Sequence, residues 1–331
     1  MKTEFASIYL LRGIAALLVC LFHFFCYWIP SGYLFEPSTL VYQIAQFGAN
    51  GVFVFFVVSG FVIPLSLSKS NLRWASIPRF LSRRFVRIEI PYFASILLLI
   101  GLALYYAVSY QQPFQLEPMR ILCHLFYLVP FTDYTWYNVI YWTLAIEFQF
   151  YIAMALLYLI FLRKGQVLIY TGLILFGSSA LLTDDNRLLF HYAPIFVQGI
   201  TLLMMKKERI SVRSAWILIV AAAIGTGFNN GLEIAIFSFL TVLVIAFTDI
   251  SVGRRLGEIS YSLYLTHGFV GGNLLLLLFH HATTPFLKFA IILIAIMASL
   301  IFAYFFWRMI EKPSQGWSKR IRIEPTRQDD H

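Results

Sequence analysis

Arg12 and His23 lie in one apolar run, "LRGIAALLVCLFHFF" (residues 11–25), where neither side chain belongs without a reason. Eleven helical steps of about 100° return to within about 20° of the start, so the two share one face. At about 1.5 Å per residue they stand about 16 Å apart along the axis. One stripe of one helix thus carries a permanent cation and, three turns on, an imidazole that titrates near neutral pH. The cation suits an anionic group, and the imidazole can take a proton from a hydroxyl or carry an acyl group covalently. Taken alone, the pair fits equally well an arginine that snorkels to the interface and a histidine that bonds helix to helix. Cys20, His23 and Cys26 are spaced by three. Steps of about 300° splay them over a third of the helix circumference, so no metal site is expected there.

Other apolar runs carry further polar groups. "YWTLAIEFQFY" (141–151) places Glu147 near the middle of a run, with Tyr151 one turn on and on the same face. "ISYSLYLTHGF" (259–269) sets Ser260, Tyr264 and His267 in one stripe at i, i+4 and i+7. "VFFVVSGFVI" (54–63) contributes Ser59 and Gly60, small enough for close helix contact. Ionisable groups within membrane segments are site candidates by default. Four helices each bearing such a group point to an enclosed polar cavity.

These groups need elements to hold them. The chain has 331 residues, 60% hydrophobic and 12% charged, with mean hydropathy +0.77. Soluble domains carry about a quarter charged residues, so the chain is a polytopic membrane protein. Ten stretches read as spans, at 8–28, 48–68, 88–109, 138–162, 166–183, 188–205, 212–229, 232–250, 257–280 and 285–310. The apolar stretch 119–131 is too short to cross and is expected to lie at the interface or re-enter. Of the 25 Lys and Arg, all but Arg12, Arg120, Arg187 and Lys288 fall on one side of this arrangement, from Lys2 at the start to Arg322 and Arg327 at the end. That asymmetry predicts cytoplasmic termini and reads the net charge of +9 as topology, not nucleic-acid binding. Three cysteines are too few for a disulfide framework, and the first apolar run lacks a small-residue cleavage pattern. The expected fold is an all-α, polytopic membrane helix bundle of about ten transmembrane helices. Residues 1–313 form the transmembrane domain and 314–331 a polar cytoplasmic tail, the segment after Glu311 being expected to be disordered or surface-bound.

Six segments in order resemble the motifs of the acyltransferase-3 family of integral membrane acyltransferases. They are the Arg12-x10-His23 pair, "GVFVFFVVSGF" (51–61), "RFLSRRFVRIEIPYF" (79–93), "WTLAIEFQFY" (142–151), "LGEISYSLYLTH" (256–267) and "IEKPSQ" (310–315). The sequence departs from the family pattern at Phe53, Phe148, Thr266 and Gly268, and keeps Arg12, His23, Glu147 and His267. The resemblance implies an enzyme that moves an acyl group, usually acetyl, from cytoplasmic acyl-CoA to a sugar hydroxyl of an envelope polysaccharide or its lipid-linked precursor. The setting it implies is the bacterial inner membrane.

On that reading His23, Arg12, Glu147 and His267 are the catalytic candidates. Arg12, Arg83, Arg84 and Arg87 are candidates for the phosphates of acetyl-CoA. Ser59, Trp142, Tyr151, Ser260, Tyr261 and Tyr264 are candidates for substrate contact. Acetyl-CoA enters as co-substrate, and no metal is needed. The partners are acyl-CoA, a polysaccharide or lipid-linked glycan and the lipid bilayer, without nucleic acid, and a homo-oligomer is left open. The bland reading of the three clustered arginines is a basic loop facing anionic lipid. Two other functions compete. A proton-coupled transporter or flippase would use Glu147, His23 and His267 as a relay, although no internal repeat is visible. A non-catalytic assembly protein would tolerate loss of His23.

Overall fold

A computed structural model describes residues 6–26, 34–70 and 72–321, and every regular element among them is helical. In chain order these are α1 (Ser7–Cys26), α2 (Leu40–Gln46), α3 (Gly51–Lys69), α4 (Ile77–Ser109), α5 (Pro118–Leu125), α6 (Trp142–Leu157), α7 (Gln166–Ser178), α8 (Ala193–Lys206), α9 (Val212–Asn230), α10 (Leu232–Phe247), α11 (Arg254–His267), α12 (Asn273–Leu278), α13 (Pro285–Phe306) and α14 (Lys312–Arg320). Three π-helical turns, Tyr158–Leu162, Gly268–Gly272 and Trp307–Glu311, extend α6, join α11 to α12 and join α13 to α14.

Each of the ten stretches read as spans carries a helix. Among the described residues seven helical runs are long and apolar enough to cross a bilayer, including Ser7–Cys26, Val139–Leu162, Arg254–His281 and Pro285–Arg320. The rest coincide with shorter helices, α7, α8 and α10. Local chemistry sets the ends. Ser211 accepts from Ser214 N–H to cap α9, and Thr284 accepts from Leu287 N–H to cap α13. Gly231, at φ +103°, makes the sharp turn between α9 and α10.

Of the two expectations for the segment after Glu311, disordered or surface-bound, the first does not hold for residues 312–320. Residues 312–320 are helical, with Ser314 and Ser318 buried. Lys312 and Pro313 follow directly on the π-turn Trp307–Glu311, and Lys319 and Arg320 suit the negative end of the helix dipole. Lys2, residues 27–28 of the first expected span, Arg322 and Arg327 lie outside the described residues.

The chain forms two compact units, each assembled from separate stretches. The first comprises Met1–Val54, Glu89–Thr143 and Asp249–Pro313. Its centre is α1 packed along α11, with α13 beside them. The α1–α11 crossing is close because glycines line it: a Cβ on Gly257 would run into the Tyr9 backbone, and one on Gly271 into the Phe24 ring. The second unit comprises Phe55–Ile88, Leu144–Thr248 and Ser314–His331. There α8 packs against α7, α9 and α10. Gly60 of α3 and Gly199 of α8 bring two backbones together, since a Cβ on either would strike the Phe196 or Val57 carbonyl. The small-residue contact expected at Ser59–Gly60 is therefore a helix crossing.

Candidate active site

In the first unit the packing of α1 on α11 joins the two histidines. His267 Nε2 lies 3.1 Å from His23 Nδ1, and the ring centroids are 5.0 Å apart. Backbone carbonyls assign the protons. His267 Nδ1 lies 2.8 Å from the Tyr264 carbonyl and 3.1 Å from that of Leu263, and carbonyls only accept, so this nitrogen carries the hydrogen. His267 Nε2 is then the acceptor in the neutral ring. His23 Nδ1 faces this acceptor and the Val19 carbonyl at 2.8 Å, so it must donate. In the neutral His23 ring the lone pair therefore resides on Nε2. A fixed tautomer of this kind is what a general base requires.

His267 is 1% exposed and packs against the Phe24 ring at 6.0 Å. The π-turn begins at the next residue, Gly268. Arg12 lies on α1 one stripe with His23 and is half-buried, three turns away. Ser260 is fully buried and donates to the Gly257 carbonyl at 2.8 Å, a bond within its own helix. Tyr264 donates to the Ile140 carbonyl at 3.0 Å and pairs with Thr143 Oγ1 at 2.8 Å, tying α11 to the turn that opens α6. Tyr261 lies within electrostatic reach of Tyr127, and Trp142 is half-buried at the start of α6.

The second unit holds a cluster of different character. Tyr151 and Ser59 both donate to Glu147 Oε1, the latter at 3.2 Å. Arg84 of α4 is 8% exposed, its guanidinium 5.7 Å from the centroid of the Tyr151 ring and 5.5 Å from that of Phe80. Its Nε has no hydrogen-bond partner among the described residues. Arg83 and Arg87 are half-buried on the same helix. The three arginines named together on sequence thus separate into one buried cation in an aromatic cage and two that reach further out. A buried guanidinium with an unused donor is a natural seat for a phosphate or carboxylate.

Several buried polar residues were not singled out from sequence. Glu311, 3% exposed, accepts from Ser262 Oγ at 2.5 Å and from Ser262 N at 3.1 Å, which fixes the π-turn after α13 to α11. Its only signal was its place in "IEKPSQ". Glu89, also 3% exposed, lies beside Tyr127. His124 of α5 is fully buried; it accepts from Tyr137 N at Nε2 (3.3 Å) and so donates from Nδ1 to the Tyr92 hydroxyl (2.8 Å). Burial first, and then the Arg120 charge, bring the His124 pKa down to about 4.

A multi-pass helical protein with a tautomer-fixed histidine pair among its helices has the parts of a membrane-embedded group-transfer enzyme. The family described as an acyltransferase domain, acyltransferase-3, matches residues 5–308, and the chain belongs to it. The protein is thus a membrane acyltransferase. Neither a curated protein nor a solved structure matches it significantly.

Proposed function

We propose that the protein transfers an acetyl group from acetyl-CoA to a sugar hydroxyl of an envelope polysaccharide or its lipid-linked precursor, in the bacterial inner membrane. Acyl transfer follows from family membership. The acetyl donor and sugar acceptor follow from the resemblance of the six motifs.

The observation that carries the mechanism is the hydrogen-bonded histidine pair. In this reading His23 Nε2 takes the proton of the acceptor hydroxyl as its oxygen attacks the thioester carbonyl. The carbonyl π-electrons move onto oxygen. When the tetrahedral intermediate collapses, the C–S bond breaks and the departing thiolate takes the proton back from His23. The products are CoA thiol and an O-acyl ester. His267 holds the ring in place and shares the charge that His23 gains. Arg84, with Arg83 and Arg87 nearby, holds phosphate of the donor, and Arg12 binds the pantetheine end or a phosphate at the cytoplasmic end of α1. Glu147 fixes Tyr151 and so the cage around Arg84.

The test is thiol release from acetyl-CoA by purified protein in nanodiscs, with and without crude envelope polysaccharide. Wild type is expected to show acceptor-stimulated release, and a folded His23→Ala variant to lose it by at least about 100-fold. A His23→Ala variant as active as wild type would remove His23 from the chemistry. Absence of release from acetyl-, succinyl- and longer acyl-CoAs would favour a transport function instead.

A further inference from the structure

The side chain of Asn138 is divided between two tasks, and only one is local. Its Oδ1 accepts from Ile140 N at 3.3 Å and caps the turn Val139–Tyr141. That bond fixes the amide orientation, because the backbone N–H can only donate. Nδ2, the donating end, has no hydrogen bond to any described residue and points at Gly268. A Cβ built on Gly268 would meet Asn138 Nδ2 at 3.4 Å, the one described atom within 4 Å outside its chain neighbours and its own helix backbone. Gly268 directly follows His267, whose ring is bonded to His23. The turn bearing Asn138 is pinned to the same helix one turn earlier, where Tyr264 bonds the Ile140 carbonyl and Thr143. All of these residues belong to the first unit.

We infer that Asn138 Nδ2 is the hydrogen-bond donor that stabilises the carbonyl oxygen of the transferred acyl group. The inference rests on the acyl-transfer reading above and adds a residue to it. As the acceptor oxygen adds to the thioester carbon, the carbonyl oxygen gains a full negative charge and loses it when the thiolate departs. A positioned donor is worth most against a charge that exists only in that interval. Asn138 is suited because its own cap holds the amide rigid, and because Gly268 presents no side chain to cover Nδ2. A neutral amide also adds no charge beside the histidine pair, which has to gain one.

The decisive variants are Asn138→Asp and Asn138→Ser, which keep an oxygen to cap Ile140 N–H and lose the amide donor. Each is expected to lower kcat for thiol release about 100-fold, with KM for acetyl-CoA within about twofold and thermal stability unchanged. If Asn138 only caps its turn, the uncharged Asn138→Ser variant turns over like wild type, and the inference is overturned. Gly268→Ala leaves Asn138 in place and sets a methyl group against Nδ2. It is expected to lower kcat about tenfold, and full activity in that variant overturns the inference even where the Asn138 variants fold poorly. Failure of the acyl-transfer reading looks different, since wild type itself would then release no thiol from any acyl-CoA.

Discussion

The histidine pair of the first unit and the Glu147–Arg84 cluster of the second solve the same problem in opposite ways. Both place polar groups in helices made largely of apolar residues, where an unsatisfied polar atom costs several kcal/mol. The pair does it without fixed charge. Each ring spends a nitrogen on backbone carbonyls one helical turn behind it, and the remaining bond links the rings. The cluster keeps a permanent cation, surrounds it with the Phe80 and Tyr151 rings, and leaves Arg84 Nε without a partner. A neutral titratable pair is suited to moving a proton during reaction. A caged cation cannot give up its proton, and is suited to holding an anion.

That contrast predicts different kinetic consequences in the two units. The largest effect belongs to the pair. His267→Leu removes the acceptor that orients His23, and turnover is expected to fall about 100-fold with KM for acyl-CoA within about twofold. A rise in KM with turnover intact would move the pair from chemistry to binding. The middle effect belongs to the cluster. Arg84→Gln is expected to raise KM for acyl-CoA about tenfold with kcat within about twofold, the loss of one charge-assisted hydrogen bond. Arg83→Gln and Arg87→Gln are expected to do less, because neither is buried as Arg84 is. An unchanged KM for Arg84→Gln would return all three arginines to topology.

A separate effect, on stability and not on turnover, lies outside both clusters and distinguishes general acid sensitivity from that of the pair. The folded His124 ring protonates only near pH 4, against 6.5 for an unperturbed histidine. The unfolded chain therefore binds this proton first as pH falls. Stability from the neutral ring is full above about pH 6.5 and declines towards pH 4, by at most about 1.4 kcal/mol per pH unit. Thermal melts across that window should show the decline in wild type and a flatter profile in His124→Gln. Equal slopes would mean that other groups govern the acid limit.

Much of this arrangement was legible in the sequence. Helix periodicity put Arg12 with His23, and Glu147 with Tyr151, because 3.6 residues per turn fixes what shares a face. Hydropathy located ten stretches that each carry a helix, although among the described residues only seven helical runs are long and apolar enough to cross, α7, α8 and α10 being shorter. What periodicity cannot give is which face meets which. The bond between His23 and His267 depends on glycines 13, 257 and 271 letting α1 approach α11, a property of two distant segments. The splitting of Arg84 from Arg83 and Arg87 likewise depends on the Tyr151 ring of another helix. Tyr264, read as a substrate contact, makes a tether to Ile140 and Thr143, a role no spacing rule distinguishes. Asn138 was invisible because its setting comes from a turn and a distant glycine.

Whether His23 and His267 act as one base is decided by a double-mutant cycle on thiol release. The variants are His23→Ala, His267→Leu and the two combined, each confirmed folded by its melting profile. The double variant is expected to be no slower than His23→Ala alone, because His267 acts only through the ring that the first change removes. Losses that multiply in the double variant would show two independent contributions and contradict a single base.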